Sequence, residues 1–375
     1  MKTTKITQCD SEWLKEDGPQ NHIVITSRIR FARNLKGRSF PGWARSSERV
    51  EILDELRPLV DGLDEMRGDS FSELMQELSA LDKQVLVERH LVSREHAAKG
   101  RGSAVAVSEN QSVCIMINEE DHLRMQALQA GFQLDAAYRQ MCRIDEAFEG
   151  KVELAFDPEW GYLTACPTNL GTGLRASVMV HLPALVLGDQ IGQVIQAVNK
   201  IGLAVRGLYG EGTEAMGNLF QISNQTTLGE SEEDIIKRLA KVASTVIKHE
   251  QNARDSLSDK RPRMLIDHIG RAYGVLAHAY SMPSKEALNL LSHIRLGIDL
   301  GVFDESVRQI VDELIIETQP AHLQKKTSKK LAAEKRDALR AEIIRDRLKS
   351  LTSPVKSELA EKSVVTAEED EPNDE

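Results

Sequence analysis

The order of apolar and polar positions divides the chain into a strand-rich front and a helical back. Residues 22–31, HIVITSRIRF, read as a strand. Glu48–Leu59 has the helical period and is expected to end near Pro58. Residues 61–70 carry Gly62, Gly68 and several acids and read as a loop, and Ser72–Leu81 reads as a second helix. Two apolar runs, Ala104–Ser108 and Ser112–Ile117, flank SENQ and predict a hairpin. Val152–Phe156 and Gly161–Ala165 flank DPEW and predict another. Leu182–Val205 is apolar but broken by Asp189, Gln190, Gln193, Gln196, Asn199 and Lys200, so it reads as an amphipathic helix plus a strand and not as a membrane span. Leu203–Gly207 and Leu219–Ser223 bracket a glycine-rich loop. Hairpins outnumber βαβ units. The expected fold is therefore α+β, a largely antiparallel sheet flanked by helices.

From Ser231 onward the pattern is helical almost to the end. Ser284 precedes a stretch with Ala287, Leu288, Leu291 and Ile294 at helical spacing. Asp304 caps a second with Val307, Ile310, Val311, Leu314 and Ile315, and Pro320 follows. A boundary falls near DSLSDKRPR, 255–263. The expected organisation is a domain over 1–256, an all-helical domain over 262–350 and an acidic, disordered tail over 351–375. No internal repeat is visible.

Charge changes the picture only at the tail. The chain has 375 residues and net charge −10, and the last 25 residues contribute −6 of it. The body is mildly acidic, so its arginines can gather without the total showing it. The N-terminal MKTTKITQCDSEWLK has no apolar core of a secretory signal. Cys9, Cys114, Cys142 and Cys166 are scattered with no CxxC pair, which fits a reducing compartment and hence the cytoplasm. Neither a membrane nor direct nucleic-acid binding is expected.

Three features suggest chemistry. In HIVITSRIRFARN, Arg28 and Arg30 share one strand face, roughly 6–7 Å apart, with Ile29 and Phe31 on the other. Such a pair suits a polyanion, or else belongs to an exposed face with scattered salt bridges. In INEEDHLRM, Glu119, Glu120 and Asp121 stand together at a strand end, with Arg124 just beyond. Three adjacent acids repel unless cations face them. Taken alone they also suit a helix N-terminus leading into Leu123–Leu128. GTGLRASVM adds Arg175, and LAVRGLYGEGTEAMGN adds Arg206 and a loop in which Gly207, Gly210 and Gly212 allow backbone N–H groups to approach phosphate oxygens. There is no Rossmann fingerprint, Walker A loop or protein-kinase motif set.

The stretches SRIRFARN, NEEDHLRM, YLTACPTNLGTGLRASVMVHLPAL and VRGLYGEGTEAMGNLFQISNQ, in this order, resemble the phosphagen (guanidino) kinase family over about residues 20–255. Two departures stand out. Only about twenty residues precede the first motif, so the small N-terminal helical domain of creatine and arginine kinases is expected to be missing, and about a hundred helical residues follow. That layout, with RLGIDLG at 295–301 and RDALRA at 336–341, is similar to the bacterial protein arginine kinases of the McsB type.

The resemblance implies an ATP-dependent kinase that phosphorylates the guanidinium of arginine residues in proteins, with Mg²⁺ as cofactor. It assigns the nucleotide site to Ser27, Arg28, Ile29, Arg30, Phe31, His90, Arg124, Arg175, Ala176, Ser177, Val178, Met179, Arg206, Gly207, Leu208, Tyr209, Gly210 and Glu211. Glu120 and Glu211 are the implied catalytic carboxylates, which align the guanidinium and take its proton. Glu119 is implied to reach Mg²⁺ through water, and Cys166 to lie near the substrate. Ser177, Val178 and Met179 are expected to contribute only backbone or apolar contacts. Arg336, Asp337, Arg340 and Ala341 match an allosteric phosphoarginine pocket, and the bland alternative is a solvated helix face. Implied partners are arginine-bearing protein substrates, an activator protein, a heat-shock repressor and a Clp-type protease, with a homodimer formed through the helical domain. Two other readings remain at this point: a small-guanidine phosphagen kinase, and a phosphoarginine-binding adaptor without catalysis.

Overall fold

The computed structural model describes residues 6–7, 11–15, 17–207, 215–327, 329–349, 351 and 359–361. The chain divides into two compact units, one of residues 1–179, 198–205 and 221–243, the other of residues 180–197, 206–220 and 244–375.

The first unit is organised by a sheet. Its strands are β1 (Val24–Arg33), β2 (Phe71–Leu74), β3 (Ala104–Val107), β4 (Val113–Ile117), β5 (Leu123–Ala130), β8 (Leu174–His181), β9 (Leu203–Gly207) and β10 (Leu219–Asn224), in the order β2-β3-β4-β5-β1-β8-β10-β9. The pairs β2–β3, β3–β4, β4–β5 and β5–β1 are antiparallel. A separate hairpin joins β6 (Phe156–Asp157) to β7 (Gly161–Tyr162). This is the expected antiparallel sheet with helices on it. Helix Leu134–Glu146 lies against β1 and β5. It buries Leu134, Ala137, Met141 and Ile144, the single apolar stripe its spacing allows. A second apolar cluster brings Phe71 and Met75 together with Leu86, Leu91, Val105, Val107 and Met116.

Two local expectations fail, and one helix ends two residues later than expected. Phe71–Leu74 is a strand, where a helix over Ser72–Leu81 was expected. The helix starts later, Ala80–Glu88, where Ser79 accepts the Asp82 N–H at 3.1 Å. Glu, Leu, Met and Gln favour helix intrinsically, but pairing along β3 overrides that preference. Helix Ser46–Asp61 runs through Pro58. A proline removes one hydrogen bond there, and the next turn still closes through Gly62 N–H to Pro58 O at 3.1 Å. Leu123–Ala130 is a strand and not the helix suggested by the acids before it.

The second unit holds the C-terminal helices. At its heart is helix Ser284–Asp299, buried on nearly every side, as a central helix must be. Gly297 belongs to it by necessity: a Cβ there would meet the Phe303 ring at 2.8 Å. The unit also buries a charged network. Arg254 pairs with Glu250 and Asp299, Arg308 with Asp299, and Arg295 with Asp312, while Arg295 also meets His181, the last residue of β8 and itself part of this unit, at 3.2 Å. The tail expected over 351–375 falls almost wholly outside the described residues. Leu351 and Leu359 are buried, so packing continues further than the acidic composition suggested.

Candidate active site

Strand registry builds the cationic half of the site. Opposite residues of an antiparallel pair point to the same face. Arg28 faces Leu128, Arg30 faces Gln126 and Ala32 faces Arg124 across β1 and β5. The face carrying Arg28 and Arg30 therefore also carries Arg124, and β8 adds Arg175 and Ser177 from the other side of β1. Arg28 donates to Gln221 Oε1 at 2.7 Å and lies 3.4 Å from Ser177 Oγ. The Nε of Arg30 is buried with no hydrogen-bond partner among the described residues.

Four guanidiniums so placed disturb one another. Enclosure by protein, then Arg124 and Arg175, lowers Arg28 to about 10. Enclosure, then Arg28, Arg124 and Arg175, holds Arg30 well below the usual arginine range, with Glu119 acting against it. A cluster of this kind is stable only beside an anion. Next to it a small pocket is lined by Trp13, Thr26, His90, Leu128, Met179 and Gln221 along with Arg28 and Ser177. His90 has φ 59° and packs edge-on against Trp13 at 5.6 Å. Burial and Arg28 push it down to about 3, so it is neutral.

The acidic half is the turn between β4 and β5. Asn118, at φ 58°, starts it in the left-handed region that asparagine tolerates. Its N–H bonds His122 O, and its side-chain amide donates to Arg49 O and Gly102 O. The three acids then separate. Glu119 turns inward, where Arg124 donates to it at 2.8 Å, Ser93 at 2.5 Å and the Glu120 N–H at 2.6 Å. Burial alone would raise its pKa, but these donors together hold it below the ordinary value. Asp121 is also buried, accepting from Asn34 Nδ2 at 2.6 Å and the Ala165 N–H at 2.7 Å. His122 accepts the Leu35 N–H on Nδ1, which leaves Nε2–H to donate to Ser39 O at 3.0 Å. Glu120 alone is exposed. Partial burial, then Asp121 and Glu119, raises its pKa despite Arg124. It is a carboxylate aimed outward and biased toward accepting a proton.

The remaining expected residues lie elsewhere or play other parts. Ser27, Ile29 and Phe31 face the opposite side of β1, and Ser27 Oγ is tied to Gly131 O at 2.8 Å. Ala176 and Val178 are likewise fully buried on the far face of β8. None of these five presents a side chain to the arginine face. Ser177, expected to offer only backbone, instead brings its hydroxyl to Arg28. Cys166 follows directly on Ala165, whose N–H holds Asp121, and its Sγ lies 3.1 Å from Thr168 Oγ1. Arg206 is exposed near the end of β9, Gly207 closes that strand, and Leu208, Tyr209, Gly210 and Glu211 lie outside the described residues. In the second unit Arg336 donates to Leu331 O at 2.9 Å, while Arg340 is buried and bonds Thr318 O, Met282 O and Asp337. Ala341 is buried beside it. The two arginines that helical spacing puts on one face thus differ, Arg340 being buried and Arg336 half-buried.

Residues that sequence reasoning missed are those that hold others: Gln221 on Arg28, Ser93 on Glu119 and Asn34 on Asp121 and His122. Of these, Ser93 carries a local signal, since it caps a short helix through the His96 N–H.

A metal fit follows from the same contacts. Among the described residues no cluster of three His, Cys, Asp or Glu could cage an ion. The Glu119 carboxylate already accepts three hydrogen bonds, so it suits a water on a nucleotide-bound Mg²⁺ better than direct ligation.

Comparison with known proteins agrees with the fold. A family model described as ATP:guanido phosphotransferase, C-terminal catalytic domain, matches residues 56–253. Another, protein-arginine kinase McsB C-terminal domain, matches residues 262–359. A protein-arginine kinase of Brevibacillus brevis is 46% identical over 344 residues, covering 92% of this chain and 96% of its own. One of Halalkalibacterium halodurans is 48% identical over 350 residues, covering 92% and 97%. Among solved structures, a lombricine kinase aligns with TM-score 0.55 and 26% identity over 64% of this chain and 71% of its own.

Proposed function

The chain belongs to the ATP:guanido phosphotransferase family, and from that premise we propose how its residues phosphorylate protein arginine. The activity is that of a kinase: the γ-phosphoryl group of ATP passes to arginine side chains of proteins. Arg28, Arg30, Arg124 and Arg175 receive the phosphate oxygens, which supplies the anion that their mutual repulsion calls for. Arg206 is a fifth phosphate contact by resemblance. Mg²⁺, carried on the nucleotide and met by Glu119 through water, would neutralise charge on the transferred group.

Glu120 aligns the substrate guanidinium and accepts its proton as the N–P bond forms, with Glu211 as the second carboxylate. The observation that carries this reading is the division of labour in the β4–β5 turn, where Glu119 and Asp121 are locked inward and Glu120 alone is free. His90, neutral and packed edge-on against Trp13, borders the nucleotide side. By resemblance Cys166 lies near the substrate, and its neighbour Ala165 bonds Asp121 of the acidic turn.

No described helix is long and apolar enough to cross a membrane. The described cysteines Cys114, Cys142 and Cys166 are free, which supports a cytoplasmic location. Homodimerisation, an activator protein, regulation by phosphoarginine and a place in stress response and Clp-type proteolysis complete the proposal. The deciding experiment supplies ATP and Mg²⁺ with either an unfolded arginine-rich protein or free arginine. Acid-labile, base-stable phosphate is expected on the protein. Faster turnover of free arginine would overturn the reading.

A further inference from the structure

Three of the seven large apolar side chains exposed among the described residues, Phe156, Trp160 and Leu228, line a single groove of the first unit. One wall is the β6–β7 hairpin with Tyr162, and the other is the segment Thr227–Glu232. Surface apolar groups are ordinary when scattered and informative when gathered.

The hairpin is held stiffly, so the exposure is not looseness. Asp157 Oδ1 accepts the N–H groups of Glu159 and Trp160 at 2.8 and 3.0 Å. Phe156 and Tyr162 pack edge to face at 5.2 Å, and the Arg33 guanidinium backs the Tyr162 ring at 3.6 Å. Gly161 is required, because a Cβ there would meet Gly171 O at 2.5 Å.

The polar lining is acidic. Glu159, Glu230 and Glu232 contribute the carboxylates. Glu159 has no ion-pair partner among the described residues. Glu230 is paired with Arg238 at 2.7 Å. Glu232 accepts from Tyr138 at 2.8 Å and lies 3.9 Å from Arg33, yet burial still raises its pKa. Exposed aromatic faces beside carboxylates suit guanidinium and ammonium groups, and Leu228 adds an apolar contact for a neighbouring side chain.

The groove also lies within reach of the acidic turn. Asn34 Nδ2 bridges Leu163 O and Asp121 Oδ1, and the Ala165 N–H bonds the same carboxylate. Tyr162 is three residues before Ala165, roughly 10 Å of extended chain. A polypeptide with its arginine at Glu120 would reach the groove with residues about three to five positions away.

We propose that this groove docks a basic, aromatic-compatible segment of the polypeptide substrate flanking the arginine that is phosphorylated, an inference that rests on the protein-kinase reading above. Charge complementarity selects this occupant over an acidic one.

The test compares the wild type with Glu159→Lys and Trp160→Ala in the full chain. Two substrates are used: an unfolded arginine- and lysine-rich protein, and a capped Gly-Arg-Gly tripeptide too short to reach the groove. On the protein, each variant should raise KM on the order of tenfold at unchanged kcat. On the tripeptide, turnover should be unchanged. Glu159→Lys removes no packing, so it keeps the test informative if Trp160→Ala melts early. Equal losses on both substrates, or no change on the protein, would overturn the proposal. A shift to smaller species on sedimentation of Trp160→Ala would assign the groove to a second copy of this chain instead. Wild-type enzyme that leaves protein arginine unmodified would sink the underlying reading, a result distinct from all of these.

Discussion

Arg124 donates to Glu119 at 2.8 Å across the mouth of the β4–β5 turn, joining the cationic and acidic halves of the site. The pair is also what frees Glu120. With one oxygen of Glu119 on Arg124 and the other on the Glu120 N–H, the backbone is pinned and the next side chain must point out.

Glu120→Gln should therefore lower phosphoarginine formation about 10²–10⁴-fold, the usual worth of a positioned base, while ATP-analogue affinity stays near wild type. In the wild type the raised Glu120 pKa fixes the sign of the pH effect. A base is lost when protonated, so kcat/KM should fall on acidification at a pH above the ordinary glutamate value of 4.5. Wild-type turnover in the variant would remove Glu120 from the chemistry.

Arg30→Met should stabilise the nucleotide-free protein while abolishing most of its stabilisation by ATP. The folded state depresses the Arg30 pKa, so the charged form is worse placed there than in the unfolded chain. Removing that charge should gain about 1 kcal/mol, or about 1–2 °C in a chain of this size. Differential scanning calorimetry with and without nucleotide reads both effects. A lower melting point without ATP would show that Arg30 has a compensating anion within the fold.

How much of this was legible varied with the range of the interactions. Arg28 and Arg30 declare their shared face by period two alone, and the SENQ and DPEW hairpins declare themselves by turn chemistry. The true course of Leu123–Ala130 did not. Leu, Met, Gln and Ala are good helix formers, and only pairing with β1 and β4 makes them a strand. The separate fates of Glu119, Glu120 and Asp121 were hidden for the same reason. Apart from Arg124 and the adjacent Glu120 N–H, their partners are Ser93, Asn34 and Ala165, tens of residues away in the chain. Likewise no local pattern reveals that segments 180–197 and 206–220 cluster with the C-terminal helices.

Arg33 sits inside the SRIRFARN motif, but its role is structural. It is buried, forks onto Asp145 at 2.6–3.1 Å, and donates to Ala32 O and Thr172 O. Its guanidinium also lies over the rings of Phe31 and Tyr162, at 4.5 and 3.6 Å. Arg33→Met should cost about 3 kcal/mol by stranding Asp145 and two carbonyls. Arg33→Lys should not restore it, because one ammonium cannot reproduce the planar fork. Urea unfolding measures this. A midpoint unchanged in Arg33→Lys would show that charge alone suffices.

Arg336 and Arg340 should behave differently, although helical spacing makes them look equivalent. Arg340 is buried, and its Nε and Nη1 are committed to Thr318 O, Met282 O and Asp337. Arg336 is half-buried and bonds Leu331 O. Arg340→Ala strands two buried carbonyls and a carboxylate, so it should lose about 2–4 kcal/mol of stability before any ligand is considered. Arg336→Ala should leave the melting temperature within about 2 °C, since it gives up a single hydrogen bond, to Leu331 O, worth about 1 kcal/mol net. If this helix forms part of a phosphoarginine pocket, Arg336→Ala should remove stimulation by free phosphoarginine without changing basal turnover. The expected coupling is about 1–3 kcal/mol, or roughly five- to 150-fold in affinity. The measurement is basal and stimulated phosphorylation of one protein substrate, alongside a melt of each variant. Full stimulation in Arg336→Ala would leave that arginine a solvated helix residue, and an unchanged melt in Arg340→Ala would show that its buried contacts are dispensable.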